Sequence, residues 1–134
     1  GNALFLDLEI EDVDWDLVEQ PVPTITEEWL QEPIPIYVVL KATAGTEKER
    51  IGYVVQRATW QRPVLAAEEV LIVGTTYSYE LSRRNPELRV HYDLNPFYVS
   101  EDEQIGWKHP GVPAKIELLI TPQGYARVQA VMVE

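Results

Sequence analysis

Apolar and polar residues alternate with a period of two along most of this chain, and that pattern predicts β-strands. The segment ALFLDLEI (3–10) puts its leucines on one face and its acids on the other. The segment ELRVHYDL (87–94) alternates in the same way. Because successive side chains of a strand point to opposite faces, the second segment should bury Leu88, Val90, Tyr92 and Leu94 and expose Glu87, Arg89, His91 and Asp93.

Three further stretches have the composition of strands. The segments IYVVLKAT and IGYVVQRATW lie on either side of the polar AGTEKER, and this pattern predicts a β-hairpin over residues 36–60. The segment EVLIVGTTYSYEL (69–81) predicts one long strand with a bend at Gly74. The segments AKIELLIT and YARVQAVMV flank TPQG, whose proline and glycine suit a tight turn, and predict a C-terminal hairpin.

Helix signals are few. Thr24 followed by Glu27 is a capping-box pattern for a short helix in TEEWLQ, and VLAAEE (64–69) suits a turn. About seven short strands in 134 residues, the usual length of one domain, favour a single all-β domain over residues 1–134. The expected architecture is an antiparallel β-sandwich or a barrel with minor helix.

The charge is strongly acidic and unevenly placed. The net charge is −11, and the first 40 residues contain ten acids with no lysine or arginine. Elsewhere acids and bases nearly balance. Such a field repels phosphate backbones, so we expect no nucleic-acid partner. The chain contains no cysteine, so disulfides and thiolate sites are excluded.

The most acidic stretch is EDVDWDLVEQ (11–20). Its three aspartates match the first ligand positions of an EF-hand loop, but Leu17 stands in the glycine position and Pro23 in the final glutamate position. Alternation favours a solvated edge, with Val13, Trp15 and Leu17 pointing inward. We predict no metal ligands, and a calcium-dependent module using residues 11–19 stays an alternative.

Catalytic patterns are sparse. His91 and Asp93 lie two residues apart on one strand face, where they could form the orienting half of a catalytic triad. No serine lies in a Gly-x-Ser-x-Gly motif, and the two histidines lack zinc-ligand spacing. We therefore predict no catalytic residues and no cofactor. A small acid-dependent hydrolase remains the enzymatic alternative.

The segment NPFYVSEDEQIGW (95–107) has a different composition from the strands. It is expected to be a loop, with two adjacent aromatic residues followed by acids, which is a composition typical of interaction surfaces. The predicted binding residues are Tyr92, Phe97, Tyr98 and Glu101.

Several segments resemble the GDYXXLXY protein family, a bacterial group. GNALFLDL (1–8) keeps Gly1 and Leu6 of the motif that names the family. IYVVLKA is similar to the family's VYVVLE strand, and VLIVG (70–74) to a later strand that ends in glycine. LRVHYDLNPFYVSEDE resembles LRYGIERYFVPEGEG, with Ser100 where proline is usual, and LITPQGYARVQAV resembles the closing VAPDGRAVLKGL hairpin.

The resemblance implies a bacterial envelope protein with an N-terminal anchor and an extracytoplasmic domain. Members are often encoded beside integral membrane proteins, and no catalytic residues are established for the family. The resemblance therefore implies an anchor segment outside this chain, and a chain that begins with Gly1 rather than an initiator methionine is compatible with that expectation. The expected function is a non-catalytic binding module, periplasmic or otherwise extracytoplasmic, whose partner is an integral membrane protein and which uses no small-molecule cofactor.

The aromatic pair in 95–107 generates the first testable prediction. If Phe97 or Tyr98 is an exposed anchor, its replacement by alanine weakens partner binding by roughly 1–3 kcal/mol, as for other aromatic anchors. The free energy of unfolding should change little. A large drop in melting temperature with unchanged binding would show that the pair packs inside the protein.

Overall fold

The computed structural model describes residues 2–4, 8–23, 32–42, 52–81, 86–94, 97–99 and 114–133. The described chain contains nine strands: β1 (Asn2–Leu4), β2 (Asp12–Asp14), β3 (Ile34–Ala42), β4 (Tyr53–Thr59), β5 (Glu69–Thr76), β6 (Glu87–Arg89), β7 (Phe97–Val99), β8 (Ala114–Ile120) and β9 (Ala126–Val133). Short 3₁₀ turns cover Glu9–Glu11, Trp15–Leu17 and Ser78–Leu81. Every described strand pair is antiparallel, so the all-β antiparallel prediction is confirmed.

The largest sheet has the order β4-β3-β5, with β3 in the centre. Ile36, Val38 and Leu40 of β3 enter the core cluster on one face, and Val39 is fully buried on the other face. A strand that is covered on both faces needs a nearly continuous apolar run, which the IPIYVVLKA sequence supplies. The predicted β3–β4 hairpin is confirmed by its pairing. Over the described residues the strand order does not close into a barrel, and the arrangement is sandwich-like.

A second layer, built from β2, β6 and the residues that follow β6, covers one face of this sheet. The predicted alternation in 87–94 is confirmed, because Leu88, Val90 and Tyr92 are buried whereas Glu87 and Asp93 are exposed. The two layers share one hydrophobic cluster. Its buried members are Val13, Val18, Ile36, Val38, Leu40, Ala58, Ile72, Leu88, Val90 and Tyr92.

Strand β5 ends earlier than predicted. It stops at Thr76, and a 3₁₀ turn follows because the main-chain N–H of Glu80 donates to Tyr77 O at 2.9 Å. Gly74 does not bend the strand, since its pairing with Ile36 lies within an unbroken register. Instead it permits a close approach: a Cβ at Gly74 would lie 2.5 Å from Val90 Cγ1.

The C-terminal hairpin is confirmed by the β8–β9 pairing. Gly124 in its turn has a φ of 97°, a left-handed conformation that favours glycine. Its carbonyl accepts a hydrogen bond of 2.8 Å from the N–H of Val73. The hairpin turn is thereby attached to the outer edge of β5.

Segment 95–107 is not entirely a loop. Residues 97–99 form β7, which pairs with β1, so the loop prediction is wrong for these three residues. The segment is extended there because main-chain groups of residues 2–4 supply its hydrogen-bond partners. The predicted helix in TEEWLQ lies outside the described residues. No helix in the described part of the chain is long and apolar enough to cross a membrane.

The close approach at Gly74 predicts that Gly74→Ala is destabilising. The new methyl group would meet Val90 Cγ1 at 2.5 Å and the main-chain oxygen of His91 at 3.1 Å. Overpacking of this kind costs about 1–3 kcal/mol. Urea unfolding measures the loss, with Gly52→Ala at an exposed position as the matched control, expected to stay within about 0.5 kcal/mol. Equal stabilities of the two variants would contradict the packing argument.

Candidate functional site

The structure places the predicted binding residues in different environments. Tyr92 is 6% exposed, and its hydroxyl donates a hydrogen bond of 2.6 Å to Ile10 O, so its ring belongs to the core. Phe97 and Tyr98 lie in β7, and their side chains are outside the described part of the structure. Glu101 lies outside the described residues. The recognition role of this group stays a prediction.

An arginine distant in sequence neutralises part of the acidic stretch. Glu11 is buried, and its Oε1 accepts a hydrogen bond of 2.6 Å from the main-chain N–H of Leu8. Its Oε2 lies 3.3 Å from Arg89, whose other terminal nitrogen lies 3.1 Å from Asp12 Oδ1. Because Arg89 follows Asp12 by 77 residues, the local sequence gave no sign of this pairing.

The solvated-edge interpretation is partly confirmed. Asp12, Asp14 and Asp16 are exposed and Val13 is buried, but Leu17 is 36% exposed. The expected inward position of Leu17 is wrong because residues 15–17 form a 3₁₀ turn, which breaks the strand alternation and turns Val18 inward instead. Among the residues that the structure describes, no three His, Cys, Asp or Glu side chains are grouped to hold a metal ion.

His91 pairs with a carboxylate that the sequence analysis did not select. Main-chain hydrogen bonds of 2.8 and 2.7 Å join His91 to Thr75 in both directions. The ring Nε2 lies 2.9 and 3.0 Å from the two carboxylate oxygens of Glu80. The structure thus pairs His91 with Glu80 rather than with Asp93, the partner that the spacing allowed, and Asp93 has a φ of 58°, outside the extended conformation of a strand.

Two tyrosines extend this pair to the surface. The Tyr77 ring meets the His91 ring edge-on, with ring centres 5.5 Å apart. The Tyr79 ring stacks on Tyr77 at 5.6 Å and 10°, and Tyr79 is 71% exposed. We call Tyr77, Tyr79, Glu80 and His91 the tyrosine shelf. Among the described residues, no hydroxyl group is hydrogen-bonded to the His91 ring.

An apolar loop projects from the opposite end of β5. Residues 61–68 form the Val64 loop, in which Val64 is 92% exposed and Leu65 36% exposed. Arg57 donates a hydrogen bond of 3.1 Å to Val64 O. Glu69 accepts from the main-chain N–H of Ala66 at 2.7 Å and returns a main-chain bond of 3.1 Å to Ala66 O. The predicted turn in 64–69 is confirmed by this pair of bonds.

Two arginines fix the loop to the rest of the protein. Arg57 also forms an ion pair of 2.6 Å with Glu69, whose side chain is 5% exposed. The Ala66 hydrogen bond, opposed in part by burial and reinforced by the Arg57 guanidinium, lowers the pKa of Glu69. Arg62 donates a hydrogen bond of 3.1 Å to Gln123 O in the β8–β9 turn, and its guanidinium carbon lies 5.3 Å from the centre of the Tyr37 ring. Val64 is therefore exposed on a loop whose backbone is held.

No protein-family model, curated protein or solved structure matches this chain. The resemblance to the GDYXXLXY family accordingly stays a prediction.

Tyr92 generates a prediction about alkaline stability. Burial, and then the nearby charge of Glu11, raise the pKa of Tyr92 above its usual value near 10. Because the pKa of Tyr92 is raised in the folded state, its contribution to the free energy of unfolding is fully present below about pH 10. That contribution falls above about pH 10, where the tyrosine ionises readily only in the unfolded chain.

Tyr92→Phe should therefore be less stable than the wild type at about pH 8, by roughly 0.5–1.5 kcal/mol for the lost hydrogen bond. At about pH 11 this difference should shrink or reverse. Above about pH 10 the tyrosine ionises in the unfolded wild type, which lowers the wild-type free energy of unfolding by about 1.4 kcal/mol per pH unit, whereas the phenylalanine variant has no such group at position 92. Urea unfolding at both pH values measures the change. A difference independent of pH would contradict the assignment.

Proposed function

We propose that this chain is a non-catalytic, extracytoplasmic binding module whose Val64 loop contacts an integral membrane protein. The observation that carries the proposal is the 92% exposure of Val64 on a loop held by Arg57, Arg62 and Glu69. An exposed valine on a mobile tail needs no explanation. A valine held out on a hydrogen-bonded loop is a preformed apolar contact.

The energetics suit binding. Full burial of a valine or leucine side chain contributes about 1.5–3 kcal/mol. Ordering a flexible loop at an interface would offset much of that gain. Here the hydrogen bonds to Val64 O and to both main-chain groups of Ala66 have already ordered the loop. Most of the apolar contribution therefore remains available to affinity.

Charge favours a particular kind of partner surface. Arg57 contacts the loop and Arg62 lies within it, in a chain whose net charge is −11. Arginine is enriched in protein interfaces, where its planar group pairs with carboxylates and stacks on aromatic rings. We infer an apolar pocket with an acidic rim on the partner.

The non-catalytic assignment rests on the shelf and on the acidic stretch. The Glu80–His91 pair is the observation that supports the hydrolase alternative, but within the described residues no hydroxyl nucleophile is bonded to it. Against the calcium alternative, oxygens of Glu11 and Asp12 already pair with Arg89. The extracytoplasmic location and the class of partner are supported by the family resemblance.

A photo-crosslinking experiment tests the proposal. A photoreactive amino acid is placed at position 64 of the full-length protein in the cells that produce it, and adducts are identified by mass spectrometry. The matched control carries the same group at the exposed position Gln129 on β9. We expect an adduct with an integral membrane protein from position 64 and none from position 129. Equal adducts from both positions, or adducts with soluble proteins alone, would contradict the proposed contact.

The location is tested with the same position. Because the chain has no cysteine, Val64→Cys provides a single thiol. A maleimide that cannot cross the cytoplasmic membrane should label this thiol in cells whose cytoplasmic membrane is intact. Labelling only after lysis would place the domain inside the cell. Replacement at so exposed a position should change stability by less than about 0.5 kcal/mol.

A further inference from the structure

We propose that the tyrosine shelf is a second binding site and that it takes a neutral sugar unit of an oligosaccharide. The shelf follows the end of β5, whereas the Val64 loop precedes its beginning. Seven residue steps of about 3.3 Å separate the ends of that strand, roughly 23 Å. The sugar site is therefore independent of the proposed contact with a membrane protein.

The rings provide a flat surface. Tyr77 and Tyr79 are nearly parallel and their centres are 5.6 Å apart, so Tyr77 stacks against Tyr79 and supports the Tyr79 ring as the outer aromatic surface. Tyr79, at 71% exposure, presents most of this surface to water. The face of a pyranose carries several C–H groups, which are attracted to the electron-rich face of an aromatic ring.

His91 supplies a directed polar group beside the rings. Its Nε2 lies between the two oxygens of Glu80 and donates its proton there. In the neutral ring Nδ1 is then an acceptor, and among the described residues it has no hydrogen-bond partner. An aromatic surface with a few placed polar groups is the usual composition of a small-ligand site.

Charge and pairing argue against other ligands. An anionic ligand would lie close to the Glu80 carboxylate in a chain whose net charge is −11, and both repel it. A cation would need the Glu80 carboxylate, but its side chain is only 11% exposed and its oxygens already accept from His91 and from the N–H of Tyr77. A neutral ligand rich in hydroxyl groups satisfies both conditions.

The shelf is preformed. Glu80 Oε1 accepts from the Tyr77 N–H at 3.1 Å, and the Glu80 N–H donates to Tyr77 O at 2.9 Å. These reciprocal bonds fix the turn that carries both tyrosines, so binding has little ordering cost. A weak but specific interaction is expected.

The test is an NMR titration of the protein with two neutral hexasaccharides, cellohexaose and chitohexaose, and with decaproline as a peptide of comparable stacking ability. We expect at least one sugar to bind with a Kd of about 1 mM, a modest affinity of about −4 kcal/mol. The ring signals of Tyr79 and His91 should shift. If neither sugar binds at about 10 mM, roughly ten times the expected Kd, or if only decaproline binds, the sugar proposal is wrong.

Matched variants locate the binding. Tyr79→Ala should weaken it at least tenfold, about 1.4 kcal/mol. Tyr79→Phe keeps the ring face and should stay within about threefold. Gln129→Ala, at an exposed position on β9, should leave sugar binding unchanged. Because Tyr79 is largely exposed, its variants are expected to fold, and their amide spectra verify this. Wild-type affinity in Tyr79→Ala would overturn the proposal.

Discussion

The contact on which most of this structure depends is the close approach of β5 to the segment after β6. Gly74 allows Val90 to lie where a side chain would stand, and the main-chain bonds between Thr75 and His91 hold the two segments together. Any larger residue at 74 would push these segments apart. Leu88, Val90 and Tyr92 can cover the β4-β3-β5 sheet only because β5 and the segment after β6 are in direct contact.

The same segment organises the charges. Arg89 reaches back to Glu11 and Asp12, and the Tyr92 hydroxyl binds Ile10 O, so alternate outward and inward residues of one segment tie the acidic N-terminal stretch to the core. His91, the next outward residue, holds Glu80 beside Tyr77. One strand-like segment thus provides an ion pair, core packing and a surface site, which its period-two alternation makes possible.

The sequence predicted the elements that depend on local pattern. The β3–β4 and β8–β9 hairpins and the burial pattern of 87–94 are confirmed because alternation and turn residues determine them locally. Contacts between distant segments were missed, such as Arg89 with Glu11 or His91 with Glu80, because no local signal records which strands become neighbours. The exposure of Val64 was also missed. An apolar side chain such as valine is more often buried. Only the hydrogen bond that Arg57 donates to Val64 O and the one that Glu69 accepts from the Ala66 N–H show that the loop is held outward.

Strand β5 links the two candidate sites mechanically. Glu69, at its first position, holds the Val64 loop, and Thr75, near its last position, holds His91 and so the tyrosine shelf. Between them the strand pairs with β3 without a register break, and Val73 binds the hairpin turn at Gly124. A strand that pairs with β3 along one edge and is hydrogen-bonded to His91 and Gly124 along the other opens only with the cooperative unit to which it belongs. Both sites should therefore lose their shape in the same opening event, so that amide protection along β5 reports on the integrity of both surfaces.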